Sequence, residues 1–105
     1  MLKLKTQPTI IDFQKYVKEL EIERGFSNQS VSDKCLLLGE EVGELFKAVR
    51  KSEGLNIDET SKFGNISYEL ADILIYICSI ANRLNLDLEK SFREKEEINK
   101  KRKWI

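Results

Sequence analysis

Two acidic clusters on the apolar faces of two predicted helices constrain the fold of this chain more than any other feature. The second predicted helix carries Glu40, Glu41 and Glu44 within the run LLLGEEVGELF. The third carries Glu69 and Asp72 within YELADILIY. Carboxylates in an apolar setting are costly and repel one another, and a bound cation removes both penalties. The pattern therefore predicts a metal site, and with it an enzyme.

Size and composition exclude several other classes of protein. The chain has 105 residues, which predicts a single domain over 1–105, and its 18 basic and 18 acidic residues balance. A net charge of zero argues against a nucleic acid or a membrane surface as the partner. The absence of histidine excludes the commonest zinc ligand and the Glu-x-x-His motif of di-iron bundles. Cys35 and Cys78 lie among apolar residues, where we expect both to be buried thiols of a cytoplasmic protein.

Apolar residues at helical spacing, with capping signals between them, predict four helices. They run from about Pro8 to Arg24, from Ser30 through Lys51, from Asn65 or Ser67 to about Leu84, and from about Asp87 to the C-terminus. The segment from Gly54 to Gly64 is expected to be a loop. No alternating apolar pattern favours a sheet, so we predict an all-α, four-helix bundle-like fold.

The third helix is apolar on almost every side, because its large apolar residues cover most directions: Leu70, Ile73, Leu74, Ile75, Ile77 and Ile80. Such a helix must be enclosed by more than one neighbour. A central position within one chain accounts for this pattern, and so does contact with another subunit. We favour the second interpretation, in which dimerisation completes the bundle.

The direction of each acidic side chain follows from a rotation of about 100° per residue. Glu41 falls in the middle of the apolar stripe of its helix, Glu44 lies one turn further along, and Glu40 lies at the edge. Glu69 and Asp72 share one face of the next helix. Antiparallel packing of the two helices would bring four of these carboxylates into one cleft. Ligands that are all oxygen atoms suit Mg²⁺ or Mn²⁺.

The fourth helix supplies the opposite charge. Its predicted inward face carries Lys95, Asn99 and Arg102 together with Phe92 and Ile98. Arg83, on the preceding helix, is a candidate for the same group. Carboxylates that hold magnesium, faced by lysine and arginine, suit a polyphosphate. The alternative is a structural polar network with a solvated charged helix, but two inward acidic pairs with the same spacing favour the metal site.

The same residues resemble a known family. Glu-Glu-x-x-Glu at 40–44, followed by Glu-x-x-Asp at 69–72, is similar to the EExxE…ExxD signature of the MazG-type nucleoside triphosphate pyrophosphohydrolases. Similarity continues through Ala81–Leu88 and the Glu94-Lys95-x-x-x-Asn99-x-x-Arg102 run, and covers about residues 9 to 104. The resemblance implies an all-α homodimer or homotetramer. It also implies Mg²⁺-dependent hydrolysis of a nucleoside triphosphate to a monophosphate and pyrophosphate, with the clearing of non-standard nucleotides as one role.

The resemblance also implies residue roles. Metal ligands would be Glu41, Glu44, Glu69 and Asp72. Glu40 would support them or position water, and either Glu40 or Glu44 would accept the proton of the water. Phosphate contacts would come from Lys95, Asn99 and Arg102. Phe26 stands where family members often have a tryptophan, and a base contact is expected there. The competing hypotheses are a non-enzymatic helical interaction module and a nucleotide sensor that hydrolyses slowly.

Overall fold

Four α-helices make up the fold in a computed structural model that describes residues 2–54, 60 and 64–104. They are α1 (Ile10–Arg24), α2 (Val31–Ser52), α3 (Ile66–Arg83) and α4 (Leu88–Lys100). The described residues contain no strand, so the all-α prediction is confirmed. The predicted loop from Gly54 to Gly64 lies largely outside the described residues, at 55–59 and 61–63.

Two capping boxes start α1 and α2 where the sequence predicts them. Thr9 Oγ1 accepts a hydrogen bond from the backbone of Asp12, whose carboxylate accepts the Thr9 N–H at 2.8 Å. Ser30 and Asp33 repeat the arrangement at 3.0 and 2.9 Å. These backbone N–H groups favour the ionised carboxylates and lower the pKa of both aspartates. Thr9 takes the extended backbone of an N-cap, so α1 begins two residues after Pro8.

Helices α1 and α3 form the hydrophobic core. Val17 and Leu20 of α1 pack with Cys78 of α3, and all three side chains are buried. The remaining apolar contacts to this cluster come from Leu2, Phe13, Tyr16, Ile75 and Leu88. Burial of Cys78 is confirmed, and it raises the pKa of the thiol. The same expectation for Cys35 is wrong, because this residue lies on the exposed side of α2.

The buried amide of Gln14 holds the connection between α3 and α4 against α1. Gln14 Nε2 donates to the carbonyl of Leu86 at 2.8 Å, and the backbone N–H of Leu88 donates to Gln14 Oε1 at 3.0 Å. Asn82 Nδ2 donates to the carbonyl of Gln14 at 2.8 Å. These bonds fix the point at which the chain turns into α4.

Beyond this anchor, α4 departs from the predicted inward packing. It contacts chiefly α1, and Phe92 and Ile98 are 68% and 56% exposed. The helix ends at Lys100 instead of reaching the C-terminus. One face of α3 is uncovered as well, with Leu70 52% and Leu74 42% exposed. A single chain therefore leaves large apolar side chains of both helices in water.

A buried ion cluster joins the other three helices. Glu21 of α1 accepts hydrogen bonds from Arg83 Nη1 at 3.0 Å and Nη2 at 2.8 Å, and it pairs with Lys34 Nζ at 3.2 Å. Arg83 also donates to the backbone carbonyls of Phe26 and Gln29. Burial opposes ionisation of Glu21, but the hydrogen bonds to its carboxylate outweigh burial and lower its pKa. Arg83 thus serves the fold, and the expectation that it faces phosphates is not supported.

Removing Arg83 should therefore be costly. In Arg83→Leu, Glu21 keeps Lys34 but loses its bidentate partner, and we expect the free energy of unfolding to fall by about 3 kcal/mol. Arg93→Leu is the matched control, because Arg93 pairs with Glu89 at a similar 2.9 Å but its side chain is 75% exposed against 15% for Arg83. The control should lose less than about 1 kcal/mol. Urea denaturation at one protein concentration measures both, and equal losses would contradict a buried, structural Arg83.

Candidate metal centre

Antiparallel packing of α2 and α3 brings the two acidic clusters together. Near the start of α2, the ammonium nitrogen of Lys34 lies 5.5 Å from the ring centroid of Tyr76. Two turns further along α2, Glu41 meets Glu69 and Asp72, which come before Tyr76 in α3. One oxygen from each of these three carboxylates lies within 4.8 Å of the others. Three carboxylates from two helices therefore converge on one point.

The electrostatic cost of this convergence appears at Glu41. A hydrogen bond with Glu69, partial burial, and the charges of Asp72, Glu69 and Glu44 raise the pKa of Glu41 from 4.5 to about 7. A proton shared between carboxylates relieves repulsion in the absence of a cation. A divalent ion relieves it more completely, and hard oxygen ligands are those that Mg²⁺ and Mn²⁺ prefer. The donor set fits such an ion.

The other two glutamates of the first cluster lie at the margin of this group. Glu44 Oε1 is 3.8 Å from Lys47 Nζ, and the side chain is about two-fifths exposed. Glu44 is not one of the three converging carboxylates, although its charge contributes to the raised pKa of Glu41. Glu40 is exposed. Burial of the phenol is the largest cause of the raised pKa of Tyr76, and the charge of Glu40 contributes to the same increase. Ligation by Glu44 and the supporting role of Glu40 remain predictions.

Gly64 allows Glu69 to occupy its position, and sequence reasoning missed this contact. A methyl group built on Gly64 would overlap Glu69 Oε1. A glycine just before a helix looks like an ordinary loop residue. The one signal in the sequence that could have predicted the contact is that Gly64 lies five residues before Glu69. The glycine keeps room for a carboxylate of the candidate metal centre.

A cavity of about 330 Å³ adjoins the three carboxylates and shares Asp72 with them. Its walls come from α1, the turn after it, α2 and α3. They are formed by Leu20, Glu21, Arg24, Phe26, Gln29, Lys34, Leu37, Asp72, Ile75, Tyr76 and Ser79. Phe26, the predicted base contact, therefore lies in the same cavity as Asp72 of the converging carboxylates. Its contribution to binding remains a prediction.

Lys34 is a cavity residue that the sequence did not reveal. Its side chain is only 4% exposed, and its ammonium nitrogen lies 5.3 Å from the ring centroid of Phe26. One position after a capping box, it has the appearance of a surface lysine. Its burial depends on Glu21, a partner 13 residues away on another helix, which no local pattern indicates.

The predicted phosphate contacts, on α4 and just after it, are not brought to the candidate metal centre within one chain. Lys95 and Arg102 are exposed, and the Arg102 guanidinium lies 5.8 Å from the ring centroid of Trp104. Asn99 is partly buried, and its Oδ1 is shielded from solvent without a hydrogen-bond partner in the described part of the chain. The helix α4 contacts chiefly α1 and not the helices that carry the acidic clusters. The role of Lys95, Asn99 and Arg102 at a phosphate therefore stays a prediction.

Comparison with known proteins bears directly on this arrangement. The MazG nucleotide pyrophosphohydrolase domain matches residues 29–103, which include both acidic clusters and α4. The chain belongs to the MazG family. Two crystal structures of iMazG from Vibrio DAT 722, with a tag at one or the other terminus, are similar to this MazG chain. Both are 29% identical to it, with TM-scores of 0.63 and 0.62.

The likeness to these structures extends over nearly the whole molecule. It covers 89% of this chain and 99% or 95% of the iMazG chains. Curated proteins give no match to the chain. The family resemblance inferred from the sequence and the all-α fold are thus confirmed. Among the described residues, no helix has the length and apolar character needed to cross a membrane.

The raised pKa of Glu41 predicts a pH-dependent stability. The folded protein binds this proton more tightly than the unfolded chain, so stability in the absence of divalent ions should fall as pH rises from about 4.5 to above 7. Glu41→Gln should lack this component. Thermal melts of both proteins in EDTA between pH 4.5 and 8 measure the difference. Identical pH profiles would contradict the carboxylate cluster, and added Mg²⁺ should restore wild-type stability most strongly above pH 7.

Gly64→Ala should weaken the metal centre without unfolding the protein. The new methyl group displaces the flexible end of Glu69, so we expect the affinity for Mn²⁺ to fall about tenfold, as for other changes that misplace a ligand. Gly39→Ala is the control, because a methyl group there meets no atom within 4 Å. Isothermal titration with Mn²⁺ reads both variants. Unchanged affinity in Gly64→Ala would show that Glu69 does not need this space.

Proposed function

We propose that this MazG protein hydrolyses a nucleoside triphosphate to a nucleoside monophosphate and pyrophosphate with the help of Mg²⁺. The observation that carries the proposal is the convergence of Glu41, Glu69 and Asp72 within 4.8 Å beside a cavity with aromatic walls. A cluster of carboxylates suits the metal that accompanies a triphosphate, and the cavity offers space for a nucleoside next to it. Membership of the nucleotide pyrophosphohydrolase family supports the same reaction.

In the proposed reaction, water attacks the α-phosphorus and the bond from that phosphorus to the oxygen bridging to the β-phosphate breaks. A divalent ion, when bound, supplies positive charge to the phosphate oxygens. Glu41, Glu69 and Asp72 would hold the ion, and Glu44, one helical turn from Glu41, would be a further ligand. The attacking water transfers its proton to a carboxylate that is not fully committed to the ion, and Glu40 and Glu44 are the two candidates. The protein otherwise contributes position and charge.

Two copies of the chain are needed in this proposal. Phosphates near the proposed metal ions require cations, and the candidates are Lys95, exposed on α4, and Arg102, exposed just after it. The apolar side chains of α3 and α4 exposed in one chain, Leu70 and Phe92 among them, suit burial against another copy. We therefore propose a homodimer, or a tetramer of such dimers, in which α4 approaches the site of a neighbouring chain.

Loss of a converging carboxylate should abolish the activity. We expect Glu41→Gln and Asp72→Asn to reduce Mg²⁺-dependent pyrophosphate release at least 100-fold, because each removes a charged ligand. Glu23→Gln, an exposed carboxylate of α1, should retain normal rates. Circular dichroism checks that the helices persist. Near-normal turnover by either ligand variant would refute the assignment.

Melting temperatures separate the enzyme from its competitors. A rise produced only by Mg²⁺ and nucleotide together indicates a nucleotide site, and pyrophosphate release then distinguishes an enzyme from a sensor. A salt-sensitive complex with a basic peptide, with no response to metal or nucleotide, would indicate an interaction module.

A further inference from the structure

Helix α2 has an apolar face that no described helix covers. Among the described helices, α3 is the one with which α2 has extensive contact, and Glu41 lies on the side that meets it. At a rotation of about 100° per residue, four residues lie within about 40° of the opposite direction. They are Leu36, Gly39, Gly43 and Phe46, and we call them the outer face of α2. Leu36 is 73% and Phe46 62% exposed, so two large apolar side chains of this face lie in water.

The two glycines leave a gap in the middle of the outer face. A methyl group built on Gly39 or on Gly43 meets no atom within 4 Å. Glycine is the least favourable residue after proline in the interior of a helix, and alanine the most favourable. Packing within one chain therefore gives no reason for either glycine. Small residues are needed where two helices approach closely, because the side chains at the contact set the distance between the helix axes.

The outer face has the same order of large and small residues in both directions along α2. Gly39 and Gly43 lie two residues to either side of position 41, and Leu36 and Phe46 lie five residues to either side. In an antiparallel pair of α2 helices with a two-fold axis at this level, Leu36 of each copy meets Phe46 of the other, and glycine meets glycine. Contacts about a two-fold axis require a surface that is complementary to itself in this way.

The charges at the two ends of α2 favour the same antiparallel arrangement. Asp33 lies in the first turn, and Arg50 and Lys51 lie in the last. In an antiparallel pair, the basic end of each helix lies beside the acidic start of the other, and the two helix dipoles oppose. A parallel pair would place like charges side by side. Charge complementarity thus identifies a second copy of this chain as the occupant of the outer face.

We propose that α2 pairs with α2 of a second copy through its outer face, antiparallel and about a two-fold axis. This surface differs from the one that the proposed homodimer uses, because Leu70 and Leu74 lie on the side of α3 that points away from α2. Two different two-fold surfaces on one chain join four copies. Pairing through α2 is independent of the proposed reaction, since the outer face points away from the converging carboxylates.

An exchange of charges across the outer face tests the pairing. Leu36→Lys and Phe46→Glu each bury a charge against an apolar side chain of the second copy, so each should weaken association at least about tenfold. In the double variant, the introduced lysine and glutamate meet twice across the two-fold axis. Its association should be at least about fivefold tighter than that of either single variant. Sedimentation velocity over a range of concentrations measures the dissociation constants.

Ile22→Glu is the matched control, because Ile22 of α1 is 64% exposed and lies outside the outer face. It should keep the dissociation constant within about twofold of the wild type. Circular dichroism checks that the helices persist in every variant. A wild type that remains a single chain at about 100 μM would overturn the pairing, and so would unchanged association in both single variants. Weakened single variants without recovery in the double variant would overturn the antiparallel arrangement.

Phe92→Glu separates this surface from the one proposed for α3 and α4. Phe92 is 68% exposed on α4. If both surfaces are used, the wild type has the mass of four chains, and Phe92→Glu and Phe46→Glu each leave particles of two chains. A fall in mass with Phe92→Glu alone would overturn the α2 pairing and leave the proposed homodimer intact. A fall with Phe46→Glu alone would support the α2 pairing and contradict the α4 contact of the proposed function.

Discussion

The carboxylate of Glu21 is the interaction on which the arrangement of the first three helices depends. It belongs to α1, and it binds Arg83 of α3 and Lys34 of α2. Arg83 extends the cluster to the backbone of the turn that follows α1. Because ionised groups of low exposure are costly unless each has a partner, the helices cannot slide past one another without leaving a charge unpaired. The cluster thus specifies one register for α2 against α3.

That register places the acidic residues of the two helices opposite one another. With Lys34 held beside Tyr76, Glu41 lies two turns further along α2 and meets Glu69 and Asp72. The attraction within one cluster therefore imposes repulsion within the other. The raised pKa of Glu41 is the sign of that repulsion, and the binding of a divalent ion would relieve it. The ion cluster around Glu21 and the converging carboxylates are adjacent, because one cavity is lined by residues of both.

Local patterns predicted the helices well, because their caps and apolar faces are encoded within a few residues. Thr9 with Asp12 and Ser30 with Asp33 form the predicted capping boxes. The pairing of Glu41 with Glu69 and Asp72 also followed from helical geometry. Lys34 did not, because its environment is set by a residue on another helix. Helical periodicity also placed α4 inward, although periodicity shows only that a helix has an apolar face and not which surface covers it.

In one chain, α4 lies against α1, whereas the proposed reaction needs the cations of α4 beside the carboxylates of α2 and α3. Gln14 anchors the start of the helix to α1, and beyond that anchor Phe92 and Ile98 face water. Their exposure is unfavourable for an isolated chain, whereas a neighbouring copy could cover them. The same helix carries Lys95, whose charge is of most use beside a bound triphosphate. If association covers the apolar residues, it also sets the position of the lysine, so that oligomerisation and completion of the phosphate site become a single event.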